Sequence, residues 1–416
     1  MKKISLTSKT LIALFLGSIF GIVLSLIPSH PVIQDFLLNG VLKVLGTGFL
    51  NAIKLIVVPL VFVSIVYATA SLDDLKKIGR IGGRTMLFYM LTTACAIILA
   101  LVIGGIFKPG LGVDLSLIEQ SNYTVTSTSL NFVDTLLNII PTNIFVAFQE
   151  NNILGVIFFA ILFGLSITMV GEKAKPLVTL FDATNDVLLK LVQIIMNFAP
   201  YGVFALLATT FANFGFSAFL PLAKYVIVVA IGLFLQLFVV YMGMLKFIGK
   251  LKPSIFIKKF LPIFNVCLST ASSSAALPLA LEHSEKSFGV SKRVSSFTLP
   301  LGATVNMDGT AIMQGIAVMF IAQMYGITLG ASDYIMVILS AVLASIGTAG
   351  VPGVGTIMLT MVLASVNLPL EGIALIMGVD RIVDMLRTAI NVAGDNVCTL
   401  IIAKGENELD ETIYNQ

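Results

Sequence analysis

The chain has 416 residues, of which 57% are hydrophobic and only 11% charged, and its mean hydropathy is +1.01. Soluble domains carry roughly 25% charged residues, so a chain this apolar cannot keep its surface wet and most of it must face lipid. The net charge of +3 is too small to suggest a nucleic-acid partner.

The three cysteines, Cys95, Cys267 and Cys398, sit in apolar stretches and carry neither a disulfide framework nor a metal spacing. Tryptophan is absent, so any interfacial aromatic belt uses tyrosine and phenylalanine. After Met1, Lys2 and Lys3, an apolar run from about Leu11 to Ile27 ends at Pro28, Ser29, His30 and Pro31. It is longer than a signal-peptide core and lacks a small-residue cleavage site, so it reads as a retained first span.

About 20 apolar residues cross a bilayer as a helix. Segments of that size lie near 10–28, 38–70, 85–107, 145–171, 177–212, 221–245, 294–324 and 371–403, which makes eight spans. Two more apolar stretches, about 253–281 and 334–369, are interrupted by small residues and proline. Basic residues follow an alternating pattern. Lys2, Lys3 and Lys9 precede span one; Lys76, Lys77, Arg80 and Arg84 follow span two; Lys173 and Lys175 follow span four. A larger basic group, Lys246, Lys250, Lys252, Lys258, Lys259, Lys286, Lys292 and Arg293, lies between spans six and seven, and Lys404 follows span eight. The intervening loops hold only Lys108. Positive charge stays inside, so both termini are expected in the cytoplasm, with residues 108 to about 144, including Asn122, Tyr123, Thr124 and Ser127, as an external loop. The basic loops read as solvated helix flanks. The acidic tail Glu406, Glu408, Asp410 and Glu411 reads as a frayed, solvated end.

The first interruption is Ser272-Ser273-Ser274-Ala275-Ala276-Leu277-Pro278, and the second is Gly347-Thr348-Ala349-Gly350-Val351-Pro352-Gly353-Val354-Gly355. Proline removes a backbone donor and glycine permits turns other residues resist, so each stretch is expected to turn back as a re-entrant hairpin. Such backbone at membrane depth must be buried in protein or line a wet cavity, where its freed amides and carbonyls can bind ions. Lys258 and Lys259 before the first break, and Glu282, His283, Glu285 and Lys286 after it, put both ends of that segment on one side.

Span eight carries the sharpest pattern. With Asp380 as origin, Asp384, Arg387, Thr388, Asn391 and Asp395 all fall within an arc of about 100° on a helix of 100° per residue. Each ionised group at the bilayer centre costs about 2.5–3.5 kcal/mol on insertion scales, so such groups must be paired or functional. Asp384 and Arg387 can pair at a spacing of three. Asp395 has no cation within a turn, nor has Asp308 in Asn306-Met307-Asp308-Gly309-Thr310. Asp308, Asp380, Asp384 and Asp395 set against Arg381 and Arg387 leave two negative charges in excess. Small cations should therefore bind first, after which Arg387 can hold a carboxylate in its planar fork.

These residues resemble the dicarboxylate/amino acid:cation symporter family, which includes the glutamate transporters. The resemblance spans essentially the whole chain and is densest from 269 to 404. It rests on Ser272-Ser273-Ser274…Pro278, Pro300-Leu301-Gly302-Ala303-Thr304-Val305-Asn306-Met307-Asp308-Gly309-Thr310, Ser345-Ile346-Gly347-Thr348-Ala349-Gly350-Val351-Pro352-Gly353 and the span-eight stripe. It implies an all-α membrane protein of eight transmembrane helices plus two re-entrant helical hairpins, with inverted repeats and the elevator-type glutamate transporter fold, assembled as a homotrimer in the plasma membrane. It also implies a scaffold over 1–81 and 108–220, the latter including the external loop, and a transport domain over 82–107 and 221–404, leaving 405–416 as a cytoplasmic tail. Hairpin two would be the external gate.

By the same resemblance the substrate site comprises Ser273, Thr310, Val351, Gly355, Asp384, Arg387, Thr388 and Asn391, with Asp384 on an amino group and Arg387 on the distal carboxylate. Three sodium sites are implied. One uses Gly302, Asn306, Asn391 and Asp395; a second uses Thr304, Ser345, Ile346 and Thr348; a third uses Tyr89, Thr92, Thr93, Asn306 and Asp308. Oxygen donors suit a hard cation. Asn-Met-Asp-Gly-Thr and the retained Asp395 resemble sodium-coupled members, whereas proton-coupled relatives tend to carry Asn-Leu-Asp-Gly-Ser and an asparagine at the latter position. Sodium is therefore the expected coupling ion, with no other cofactor.

The chain departs from better-known members at Ala271 and Met385, where many carry an arginine whose charge Arg381 can replace, and at Ala275 and Ala276, where glycine or serine and threonine are common. Import of aspartate or glutamate is the leading expectation, with proton- or sodium-coupled C4-dicarboxylate, cystine or neutral amino-acid symport as alternatives and an ion channel as the rival class. An enzyme is not expected. No nucleophile–base pair stands out, and His30 and His283 fall in expected loops.

Overall fold

The computed structural model describes residues 6–27, 30–70, 80–112, 140–149, 153–214, 219–347, 350 and 353–416. Lys76, Lys77, the tip of the expected external loop, and the hairpin-two residues Thr348 and Val351 fall outside that set. Among the described residues the chain is helical throughout; the one strand-like pairing is an isolated bridge between Val290 and Leu409.

The apolar runs become helices α1 (Leu6–Ser25), α2 (Lys43–Ala70, entered through a π-helical stretch Val32–Leu42) and α3 (Arg80–Phe107). A short α4 (Ile144–Gln149) leads into α5 (Ile153–Val170), then α6 (Lys175–Met196) and α7 (Ala199–Phe214). The span expected over 177–212 is a pair of helices bent by 50° at Asn197–Phe198. Span six is α8 (Phe219–Leu235), a π-helical segment Gln236–Tyr241 and α9 (Met242–Phe247).

Both interrupted stretches form helix pairs. α10 (Pro253–Thr270) ends where Ala271 turns into the left-handed region at φ 51°, and α11 (Ser273–Lys286) starts behind the Ser272 cap, whose hydroxyl accepts from the Ala275 amide. α14 (Ala331–Gly347) and α15 (Val354–Ala364, entered through Gly353 at φ 85°) make the second pair. The two breaks meet, for Ser272 Oγ and the Ser274 amide both donate to the Gly350 carbonyl, at 2.7 and 3.1 Å.

The span expected over 294–324 corresponds to the apolar stretch Lys292–Met324. Within it the helix is interrupted: α12 (Lys292–Val305) and α13 (Asp308–Met324) are separated at Asn306 and Met307, whose backbones leave the helical region. The Asn306 side chain is buried and committed to the neighbouring helices, with Nδ2 donating to Asp395 on α16 and Oδ1 accepting from Thr92 on α3. α16 (Ile373–Gly405) then runs for 33 residues through the centre, packed by α7, α8 and α10 to α13. α1 lies along α7, while α2 packs on α5, α6 and α7.

By length and composition, five helical stretches among the described residues can cross a membrane, or up to six when the bent pair counts as one. Large apolar side chains cover the outside, and a group of charged side chains is buried within the apolar core. Phe15, Leu55, Ile106 and Phe247 are exposed, whereas Asp308, Asp384, Arg387 and Asp395 are buried. That arrangement fits a hydrocarbon surround, where charge is costly and leucine is not.

The acidic tail is not frayed. Glu406 accepts from Arg80 and Arg84 at the start of α3, Glu408 pairs with Arg293, and Glu411 with Lys404. Leu409 bridges to Val290, and the Asp410 carboxylate caps α17 (Glu411–Asn415). Tyr414 is fully buried beside Phe288, which stacks on Phe256, and its hydroxyl donates to the Lys252 carbonyl. Lys259, expected to be a solvated flank, donates to the carbonyls of Ser287, Ile413 and Tyr414. His283, expected in a loop, lies in α11. Two apolar residues, Ile413 and Tyr414, provide the burial that overrides terminal fraying.

Candidate functional site

The span-eight stripe supplies the floor of the site. α16 turns Asp380, Asp384, Arg387, Thr388, Asn391 and Asp395 to one side, and all six are buried. Arg387 Nη2 lies 2.8 Å from Asp384 Oδ1 and its Nε donates to the same oxygen at 2.9 Å. Asp384 Oδ2 is 3.5 Å from Arg381 Nη1 and accepts from the Gly353 amide at 3.3 Å. Arg387 Nη1 lies 3.9 Å from Asp380 Oδ1 and makes no hydrogen bond among the described residues. One edge of the guanidinium is thus held by the Asp384 carboxylate, while Nη1 faces Asp380 without a hydrogen bond among the described residues.

α13 and α15 close over that guanidinium. A methyl on Gly355 would fall 2.5 Å from Arg387 Nη1 and 2.8 Å from the Thr310 methyl, so only glycine lets the helix approach. Gln314 Nε2 donates to the Gly355 carbonyl at 3.2 Å. Asn391 accepts from the Gly309 amide at 2.7 Å through Oδ1, and its Nδ2 donates to Thr310 Oγ1 at 3.3 Å. Ser273, at the hairpin-one tip, is buried against Gly350. Of the expected substrate residues, all but Val351 are therefore described. Thr310, Gly355, Asp384, Arg387 and Asn391 form one connected cluster; Ser273 belongs to the adjoining junction of the two tips, and Thr388 is buried beside them on α16. A cavity of about 30 Å³, lined by Met196, Val203, Met377, Asp380, Arg381 and Asp384 among others, opens next to this cluster.

Below it the α12–α13 break gathers the oxygen-rich groups. Asn306 Nδ2 donates to Asp395 Oδ1 at 2.9 Å and approaches the Asn391 carbonyl at 3.4 Å. Gly302 sits so close to Asp395 and to the Tyr89 hydroxyl that no side chain fits there. The first expected cation set is thus contiguous. In the third set, Thr93 Oγ1 donates to Asp308 Oδ1 at 2.6 Å, Thr92 Oγ1 reaches Asn306 Oδ1 at 3.4 Å, and buried Tyr89 donates to the Thr298 carbonyl. In the second, Ser345 Oγ donates to the Val305 carbonyl and accepts from the Met307 amide, so it spans the break. Ile346 is half-buried beside it, the Thr304 side chain faces outward, and Thr348 lies outside the described residues.

Several contributors escaped the sequence reading. Gln236 and Tyr241 both donate to Asp308 Oδ2, Gln314 braces Gly355, and Met307 sulfur faces Asn391 Nδ2 at 3.2 Å. A lone glutamine inside the apolar run of span six was the available signal.

The family model for the sodium:dicarboxylate symporter family matches residues 6–405. The chain belongs to that family. This symporter is 38% identical to the proton/sodium-glutamate symport protein of Geobacillus stearothermophilus, over 99% of its own length and 97% of the relative's. It is 39% identical to the proton/glutamate-aspartate symporter of Escherichia coli (strain K12), over 98% and 94%. It is 37% identical to the C4-dicarboxylate transport protein of Bacillus subtilis (strain 168), over 89% of each. The symporter is a membrane transporter, not an enzyme.

Proposed function

We propose that this symporter imports an acidic amino acid, glutamate or aspartate, together with sodium. The observation that carries the reading is the buried Arg387 guanidinium, held at one edge by Asp384 with Nη1 unbonded among the described residues. A side-chain carboxylate fits that fork, and an ammonium group fits Asp384 once Arg387 is shared. Ser273, Val351, Gly355, Thr310, Thr388 and Asn391 complete the substrate set. Sodium suits the oxygens of Gly302, Asn306, Asn391 and Asp395, of Thr304, Ser345, Ile346 and Thr348, and of Tyr89, Thr92, Thr93, Asn306 and Asp308. Two relatives are named as glutamate symporters, which favours the same substrate class.

Transport by an elevator movement in a homotrimer of eight spans and two hairpins is part of this reading, with both termini cytoplasmic. The packing of α1 along α7, and of α2 on α5, α6 and α7, supports a scaffold of 1–81 and 108–220, which meets a transport body of 82–107 and 221–404 where α7 packs on α16. A second reading, C4-dicarboxylate import, draws on Arg381 beside Asp384, which offers a second cation to a second carboxylate. It also draws on the named C4-dicarboxylate relative. Melting temperature measured across amino acids and dicarboxylates, with and without sodium, separates them, because a ligand stabilises in proportion to its binding. The acidic amino-acid reading requires the largest rise with glutamate or aspartate and only when sodium is present.

A further inference from the structure

Span six changes its winding at one place. In the segment Gln236–Tyr241 the backbone is π-helical, and the Met242 amide donates to the Leu237 carbonyl five residues back. Residues five apart on an α-helix point about 140° from each other. The wider turn instead lets Gln236 and Tyr241 reach one atom. Gln236 Nε2 donates to Asp308 Oδ2 at 3.0 Å and Tyr241 Oη donates to the same oxygen at 2.7 Å. Both side chains, and Asp308, are fully buried.

A carboxylate only accepts, so the amide of Gln236 must turn its NH₂ toward Asp308 and its carbonyl away. That carbonyl, Oε1, has no hydrogen-bond partner among the described residues. Leaving a buried acceptor unsatisfied is costly, and such a cost persists where the group serves something else. Asp308 Oδ1, in contrast, faces Thr93, with Thr92 and Asn306 Oδ1 close by. Asp395 accepts from Asn306 Nδ2 nearby, and neither Asp308 nor Asp395 has an arginine or lysine bonded to it among the described residues. The neighbourhood lacks positive charge and has an oxygen to spare.

We propose that Gln236 and Tyr241 belong to the cation machinery at Asp308: Tyr241 Oη fixes the carboxylate, and Gln236 holds it through Nε2 while lending Oε1 to a small alkali cation. The π-turn is the device that delivers both residues. This rests on the reading that Asp308 serves a transported cation. Tyr241 is a positioning residue and Gln236 an additional oxygen donor.

The test is the sodium concentration that gives half of the sodium-dependent rise in melting temperature of the purified full-length protein, with choline chloride holding ionic strength constant. Tyr241→Phe and Gln236→Leu are each expected to raise that midpoint about tenfold, the effect of losing one hydrogen bond to a charged group. In an Asp308→Asn background, Tyr241→Phe should shift it no further, since the two act through one group. Should Gln236→Leu not fold, Gln236→Asn, which keeps the amide but shortens its reach, carries the same expectation. Variants that melt lower without sodium yet keep the wild-type midpoint within twofold would reduce both residues to packing and overturn the proposal. An equal Tyr241→Phe shift in the Asp308→Asn background would overturn it too. Wild-type protein indifferent to sodium would sink the sodium reading itself, and this inference with it.

Discussion

Arg387 and Asp384, three residues apart on α16, neutralise one another: Nη2 and Nε of the guanidinium both address Asp384 Oδ1, at 2.8 and 2.9 Å. Removing one partner of a buried pair leaves a charge uncompensated, at a cost of about 3–5 kcal/mol. Arg381 beside Asp384 offsets part of that loss. Arg387→Ala is therefore expected to insert into the membrane, melt lower, and lose uptake of glutamate and aspartate altogether. Radiolabelled uptake into sealed vesicles checks it; wild-type rates in the variant would remove Arg387 from the site.

Asp395→Asn exchanges a carboxylate for an amide opposite Asn306 Nδ2, which now donates to it at 2.9 Å. One negative charge disappears from a buried oxygen cluster that suits a cation. Uptake should need at least tenfold more sodium, with maximal rate at saturating sodium less affected. A superimposable sodium titration is the adverse result.

Gly355→Ala places a methyl 2.5 Å from Arg387 Nη1 and 2.7 Å from its Cζ. Overpacking of this kind costs about 1–3 kcal/mol. The guanidinium must turn aside, so half-saturating substrate should rise at least tenfold while sodium dependence changes little. Calorimetric titration with aspartate distinguishes this from a general loss of fold.

The docked tail makes Tyr414→Ala a stability test. The ring is fully buried near Phe288 and its hydroxyl reaches Lys252. Truncating a buried aromatic typically costs about 3–5 kcal/mol. A fall of several degrees in melting temperature is expected, together with proteolytic cleavage after Gly405. An unchanged melt would show that the tail rests on the body without supporting it.

Acid should release the same tail. Hydrogen bonding from Arg80 holds the Glu406 carboxyl below its usual range, and donors from Thr412 and Ile413 hold Asp410 down likewise. A lowered folded-state value means the stabilisation is complete above the ordinary carboxylate range of about 4 and disappears as pH falls through the depressed values. Amide exchange over 406–416 should be slow at neutral pH and rise only below about pH 4. Release already at pH 6 would contradict the ion-pair account.

Much of this was legible because charge inside an apolar chain is conspicuous. Asp380 to Asp395 announced a single buried face by spacing alone; Gly353 marks the second helix break, whereas the first falls at Ala271 and Pro278 lies inside α11. The tail was misread because Glu406, Glu408 and Asp410 dominate its composition, although Ile413 and Tyr414 supply the burial. The break at Asn306 lies within a stretch whose overall apolar length reads as one span, so nothing there separated two helices. The π-turn at Gln236 has no sequence signature of its own; the structure shows it bringing Gln236 and Tyr241 to one oxygen of Asp308.

The interruption between Val305 and Asp308 has one more consequence. A peptide rod cut in two exposes opposite poles at the cut, each worth about half an elementary charge. Here the negative pole of α12 looks toward Asp395 and Ser345, while the positive pole of α13 is taken up by Asn391 through the Gly309 amide. A metal ion and an organic anion drawn to those poles would sit on two sides of one wall a few atoms thick. Energetic conversation between the two cargoes then needs no lever or relay, only that shared partition.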